Sequence, residues 1–478
     1  MEHKIYHLKL RGLVFGSLDK SIRNTIKMLI VLAVSFNMTS CESFLEIDAP
    51  KNKLISETVF EDASTVESAF ANIYYKMREQ GMVSGNFGLS VSMGAYADEL
   101  DYYGRNTNLL NIYNHGITAY DPTVLSWWNQ AYNLIYVAND IIQGIDKATA
   151  LSLEEHERFK GQALFVRAFI HSLLVGIYGD VPYITATSYI DNNKVSRMPM
   201  DTVYGKIISD LLLAVDLLDD VSVGERVLPN RSAVKALLAR MYLYHGDWEL
   251  AEATASDVIG AHTLETDINK VFLKNATETI WQFKPGGPSI KNTQEAQNMI
   301  ITSIPTQGYA LTPLLLAAFE PGDLRRTQWV GSFTSNDGLT TLYFAHKYKQ
   351  TINTTSQSLE YSIILRLAEQ YLIRAEARAH LGNIPGAQGD VNVLRNRAGL
   401  GDTTASTKEG LLEAVLHERQ VELFTEHGHR WFDLNRFDRA NEVLSSIKPN
   451  WKSTNVLLPI PGNDLEFNPN LRPQNEGY

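Results

Sequence analysis

At 478 residues, with 44% hydrophobic and 20% charged side chains, the chain carries ample apolar material for a large folded body and too little charge for a disordered one. Lys+Arg number 43 and Asp+Glu 54, giving a net charge of −11, and no basic block stands out. That balance argues against nucleic acid and anionic membrane surfaces as general partners.

The chain opens with a basic segment (Lys4, Lys9, Arg11, Lys20, Arg23, Lys27) and the apolar run MLIVLAVSF from Met28 to Phe36. That run is too short to span a bilayer but suits the apolar part of a secretory signal. Met38-Thr39-Ser40 before Cys41 resembles a lipobox, at which signal peptidase II cleaves just ahead of a lipidated cysteine, with Met38 where Leu is usual. Cys41 is the only cysteine, so an exported chain has no disulfide to form and lipidation is the natural use of the thiol. We therefore expect a lipoprotein signal peptide over 1–40, a lipidated tether over 41–60 and a single folded body over 61–478. Glu42 resembles the acidic signals that send such lipoproteins to the cell surface.

Ser64 with Glu67 offers a capping box for a first helix through Phe70, Ile73, Tyr74 and Met77. The stretch 81–94 is Gly/Ser-rich and reads as a loop, and DYYGRNTNLLNIYNHG from Asp101 is polar and aromatic without clear periodicity. Helix resumes over 125–145, where Trp128, Ala131, Tyr132, Ile135 and Ala138 follow the i, i+3, i+4 rule. A second long helix over 154–178 has small Ala163, Ala168 and Gly176 for close contact, and Gly179-Asp180-Val181-Pro182 breaks it. A further amphipathic helix covers 201–218.

An internal repeat follows. Residues 231–259 read as helix, Gly-Asp turn, helix, and 367–394 have the same grammar: Ala239, Gly246, Asp247 and Ala251 correspond to Ala375, Gly382, Asn383 and Ala387. The unit resembles the tetratricopeptide hairpin, whose small residues let paired helices approach and stack. Hairpins are expected at about 125–178, 231–260 and 361–399, with a loop-rich insert over about 271–360. In that insert TIWQF (279–283) alternates like a short strand, with Trp281 suited to the core. Insertions without periodicity on a helical scaffold are where recognition loops belong.

Residues 411–437 (LLEAVLHERQVELFTEHGHRWFDLNRF) begin a helix near Thr407, with Ser406 and Glu409 as its capping box. Glu418, Arg419, Glu422, Arg430, Asp433 and Arg436 are interleaved there with Trp431, Phe432, Leu434 and Phe437. Half-buried charges need partners, so the pattern reads as a structural ion-pair network under an aromatic lid. As an acid/base pair, Glu418 and Glu422 would sit one turn apart on one helix face rather than across a scissile bond. His417-Glu418 begins like H-E-x-x-H, but Val421 stands where the second histidine belongs, and His427 and His429 read as helix-end histidines. Nucleophile-elbow, Walker and dinucleotide-binding signatures are absent, so neither catalysis nor a metal or cofactor is expected.

Three ordered segments carry a resemblance to a known family. ERQVELFTEHGHRWFDLNRF, the upstream YSIILRLAEQYLIRAEARAHLGNIPGAQGDVNVLRNRAGL and the terminal LLPIPGNDLEFNPNLRPQNEGY resemble the SusD/RagB family of nutrient-binding surface lipoproteins. Asp323, Arg325 and Arg326 resemble the family's G-D-x-R segment, and Lys347-Tyr348 its K-Y. The resemblance implies a mostly α fold, SusD-like, of tetratricopeptide-like helical hairpins with a loop-rich, minor-β ligand-binding region. It implies a protein lipid-anchored through Cys41 and exposed on the outer membrane, which binds an oligosaccharide without altering it. Delivery to a SusC-like TonB-dependent outer-membrane transporter would follow. Two alternatives remain: the same role with peptide cargo, as in some family members, and a surface glycoside hydrolase.

A sugar ring offers an apolar C–H face that stacks on an aromatic and hydroxyls that pair with Asn, Asp or Arg. Tyr102, Tyr103, Arg105, Asn106 and Tyr113, with Asp98 nearby, form the best local mixture; Trp329 near Arg325, with Asn336 and Asp337 downstream, is the second. Family ligand sites are assembled from loops in broadly these two regions. We take Tyr102, Tyr103, Arg105, Asn106 and Trp329 as candidate ligand-binding residues. An Asn/Gln/Ser lining would favour peptides and an exposed coplanar aromatic pair glycans. A hydrolase would need two carboxylates about 5–10 Å apart across a cleft.

Overall fold

The computed structural model describes residues 60, 62–220, 224–286 and 289–478. The expected signal peptide, Cys41 and the tether up to residue 59 lie outside them. Phe60, which the expected tether includes, is buried, its ring lying over Gly144.

The principal helices are α1 (Ala63–Glu79), α2 (Leu89–Tyr96), α3 (Pro122–Lys147), α4 (Leu153–Tyr178), α5 (Met200–Leu217), α6 (Arg231–His245), α7 (Trp248–Ala261), α8 (Leu367–His380), α9 (Ile384–Arg397), α10 (Lys408–Glu422) and α11 (His429–Arg436). Their starts follow local chemistry. Asp62 caps α1 by accepting from the Ser64 N–H at 2.8 Å, so the cap lies two residues before the Ser64 expected from sequence. Asp121 followed by Pro122 starts α3, Ser152 and Glu155 form a capping box on α4, and Thr407, one residue beyond the expected Ser406, caps α10. Helix α2 replaces the later part of the loop expected over 81–94. Ser90, Ser92, Gly94 and Ala95 give it no apolar stripe, yet every residue of it is buried.

Helix α4 is apolar and long enough to cross a bilayer, but 94% of its apolar stretch is buried inside the protein, so it serves as a core helix. Paired helices α6–α7 and α8–α9 each turn through a left-handed glycine, Gly246 (φ 89°) and Gly382 (φ 78°), a conformation that costs a side-chain-bearing residue strain. Against them lies β2 (Thr279–Phe283), antiparallel to β6 (Ser362–Arg366). Trp281 of β2 is fully buried and meets Phe165 and Phe169 of α4 edge-on at 5.0 and 5.4 Å. Each such pair contributes about 0.5–1.5 kcal/mol beyond area burial. Two further ribbons, β1 (Leu100–Tyr102) with β3 (Tyr309–Leu311) and β4 (Val330–Thr334) with β5 (Thr341–Ala345), organise the loop-rich region.

The buried charges of α10 and α11 join these parts. Glu422 accepts from Arg325 (3.0 Å) and Arg366 (2.6 Å) and pairs with Arg397, while Glu418 accepts from Arg325 at 2.5 Å. Arg325 also grips Asp323, and Glu426 takes Arg366 and Lys347. Arg419 and Arg436 hold Asp433, and Arg430 makes two bonds to Asp98 at 2.7 and 2.8 Å. Burial pushes both glutamates up, but the outcomes differ. Arg397, Arg366 and Arg325 overcome it and hold Glu422 well below the usual carboxylate range, whereas Arg325 only partly offsets it for Glu418, which stays raised. The network reading of this segment holds. Both glutamates are 0% exposed, which closes the acid/base alternative for this pair.

The C-terminal segment returns to the first half of the chain. Tyr96 donates to the Asn455 carbonyl, Lys448 to the Ala95 carbonyl, and Asn475 to the Tyr178 carbonyl.

Candidate functional site

Pairing of β1 with β3 sets Tyr102 opposite Tyr309, with ring centroids 4.9 Å apart and planes tilted by 35°. Tyr309 is buried and its hydroxyl has no hydrogen-bond partner among the described residues, while half-buried Tyr102 folds over Gly104 and its hydroxyl accepts from the Asn106 N–H at 3.3 Å. Successive strand residues face opposite ways. Tyr103, 45% exposed, is held through its N–H to the Gly308 carbonyl at 3.0 Å.

Tyr102 and Tyr309 line a cleft of about 620 Å³. Its other walls are the Asn86–Phe87 loop tip, Leu109, residues from Gln297 to Gly308, and Thr351. Phe87 is 37% exposed, and its carbonyl is anchored by the Trp127 indole N–H of α3 at 3.0 Å. Asn86, Gln297, Thr302, Ser303 and Gln307 are exposed, and their side chains bond to none of the described residues. The cleft thus sets aromatic faces beside free amides and hydroxyls, groups that both donate and accept.

The sequence-derived candidates separate here. Tyr102 lines the cleft; Tyr103, Arg105 and Asn106 stand on the adjoining segment without lining it. Asn106 caps the short helix Thr107–Tyr113, its side-chain oxygen accepting from the Asn108 and Leu109 N–H groups at 3.0 and 3.2 Å. Arg105 is exposed and forms no hydrogen bond or ion pair with the described residues. Trp329 does not belong to the site. It is 1% exposed, its indole N–H is taken by the Ile268 carbonyl at 2.9 Å, and Phe272 packs edge-on against it, so no ring can stack there. Its neighbour Arg325 and the upstream Asp98 are likewise removed by the ion-pair network, and Asn336 and Asp337 sit in the β4–β5 turn. His427 bonds the Ile363 carbonyl and His429 is buried. Sequence reasoning missed Phe87, Gln297, Thr302 and Gln307; their one visible signal was position in stretches without periodicity.

An aromatic depression of about 260 Å³ is walled by Trp128, Tyr132, Tyr136, Tyr189 and Phe467. Many of its polar groups are already engaged: Tyr132 bonds the Pro182 carbonyl, Asn192 that of Ala186 and Asn468 that of Val195. The Tyr102 cleft is the better-equipped site.

Comparison with known proteins extends this picture. Residues 43–243 match a SusD-like family model described as "Starch-binding associating with outer membrane". Residues 326–478 match a model described as "SusD family". SusD-like protein P2 of Formosa agariphila is 27% identical over 491 residues, spanning 90% of this chain and 95% of that one. Among solved structures, a SusD superfamily protein from Bacteroides vulgatus is similar at a TM-score of 0.75 and 22% identity, over 88% of this chain and all of that one. A protein described as a laminarin-binding SusD-like protein is similar at 0.72 and 23%, over 87% of this chain and 99% of its own. These structures share the helical fold described above.

Proposed function

The chain belongs to the SusD/RagB family, and from that membership we propose that it captures an oligosaccharide in the Tyr102 cleft and passes it, unaltered, to a SusC-like TonB-dependent transporter. It would act from the cell surface, held to the outer membrane by acyl chains on Cys41, with 1–40 removed and 41–60 as the tether. One observation carries the glycan assignment: Tyr102 and Phe87 present apolar faces beside the uncommitted Asn86, Gln297, Thr302, Ser303 and Gln307. Tyr103, Arg105 and Asn106 stand at its edge as further contacts. The description of a structural neighbour as laminarin-binding supports the same class.

Each hydrogen bond in such a cleft contributes about 0.5–1.5 kcal/mol, so intrinsic affinity is modest. Tethering beside a transporter raises effective concentration and makes weak capture sufficient. A second reading, peptide cargo, is favoured by the amides in the wall and by the tilt of Tyr102 against buried Tyr309, which leaves no exposed coplanar pair.

Calorimetric titration of the chain from Glu42 onward against oligosaccharide and peptide panels distinguishes them. Glycan binding that Tyr102→Ala weakens, without release of hydrolysis products, is expected. Peptide binding with no glycan binding overturns the assignment, and glycan cleavage establishes an enzyme instead.

A further inference from the structure

We propose that the cleft selects uncharged cargo: oligosaccharides of neutral sugars, to the exclusion of uronate-containing and sulfated ones. This rests on the glycan assignment above and narrows it. One residue in five of the whole chain is charged, yet among the described residues no Asp, Glu, Lys, Arg or His lines the cleft. The charged residues closest in sequence to its walls are directed elsewhere. Glu295 is buried and accepts from the Ser84 and Ser362 hydroxyls at 2.8 and 2.7 Å. Asp101 accepts from the Tyr113 hydroxyl at 2.9 Å, and Lys349 donates to Asn269 at 3.0 Å. Arg105 is uncommitted but stands outside the lining.

Within the lining a carboxylate or sulfate would give up water without meeting a cation, an uncompensated desolvation, since Arg105 stands at the edge and not among the lining residues. A neutral sugar meets no such obstacle. Its hydroxyls donate and accept, as do the amides of Asn86 and Gln297 and the hydroxyls of Thr302 and Ser303.

The test titrates the full chain with gluco-, manno- and xylo-oligosaccharides and, at matched length, with oligogalacturonides, oligoalginates and sulfated carrageenan oligomers. At least one neutral series should bind, with every charged series weaker by about tenfold or more. Gln297→Lys, at an exposed position, should raise oligogalacturonide affinity about tenfold relative to neutral affinity. A charged series that binds as well as the neutral ones overturns the selectivity while leaving glycan capture intact. So does a Gln297→Lys variant whose preference does not move. If no glycan of either kind binds, the glycan assignment falls, and the selectivity with it.

Discussion

Replacing Arg325 with methionine tests how the loop-rich region is fastened to α10. Arg325 is 0% exposed, and its guanidinium touches three carboxylates: Asp323, Glu418 and Glu422. After Arg325→Met, Glu422 keeps Arg366 and Arg397, and Asp323 keeps the backbone N–H of residue 325. Glu418 is left with Arg395 at 3.7 Å, beyond hydrogen-bonding distance. Removing one partner of a buried ion pair costs about 3–5 kcal/mol, and methionine replaces most of the lost stem, so no large cavity adds to it. The lower half of that range is expected. Burial already raises the Glu418 carboxyl, so it will take up a proton rather than remain a bare charge. Urea unfolding followed by tryptophan fluorescence, with the slope checked for constancy, measures the loss. Because apolar replacements of whole buried ion pairs are often neutral or stabilising, Arg325→Met with Glu418→Leu should recover most of it. A single variant losing less than about 1 kcal/mol would refute the reasoning. A double variant as unstable as the sum of its parts would do so equally.

Other expectations follow from the same geometry. Tyr102→Ala should weaken oligosaccharide binding about tenfold with little change in stability. Trp329→Ala should instead cost about 3–5 kcal/mol of stability through the cavity it leaves; the reverse pattern in titration and unfolding experiments would return Trp329 to the site. Burial and neighbouring Asp98 push the Glu99 carboxyl up from 4.5 to about 8, outweighing its Thr425 hydrogen bond and Arg430. The raised folded value means that its contribution is full below pH 4.5 and lost as pH rises through about 8. Glu99→Gln should flatten that loss, and an unchanged pH profile of the urea midpoint would contradict it. Burial acts against the Glu426 carboxylate, yet Arg366 and Lys347 bring it down to about 2. Its contribution is present above pH 4.5 and lost as pH falls toward 2, and Glu426→Gln should blunt that acid sensitivity. Cys41→Ala should abolish an acyl mass increment and move the chain from the membrane fraction to the soluble one.

Regular helices were readable because their signals are local. Apolar spacing placed α3, α4 and α5, and a Gly followed by Asp or Asn marked both clear hairpin turns. The α10–α11 ion pairs were foreseeable in kind, since acids and bases alternate there among aromatics. Their partners were not, because Arg325, Arg366 and Arg397 come from other parts of the chain. The same limit decided the site. Tyr102 was singled out from local composition and lines the cleft, but a tryptophan in a polar stretch looks the same whether it stacks cargo or fills a core, and Trp329 is buried in a core. Helix α2 was missed because serines, glycine and alanine show no stripe, though close packing makes them helical and buried. The Gln297–Gly308 wall reaches Tyr102 only through the β1–β3 pairing, over a separation that no spacing rule spans.

The acid at Asp98 waits for a base 332 residues downstream, and Ala95 for a lysine 353 residues on. A polypeptide that must join its extremities in this way cannot settle while its latter portion is still on the ribosome, and contacts of such range slow the search. The Asp98–Arg430 and Ala95–Lys448 contacts close only once that final segment is available to the first helices.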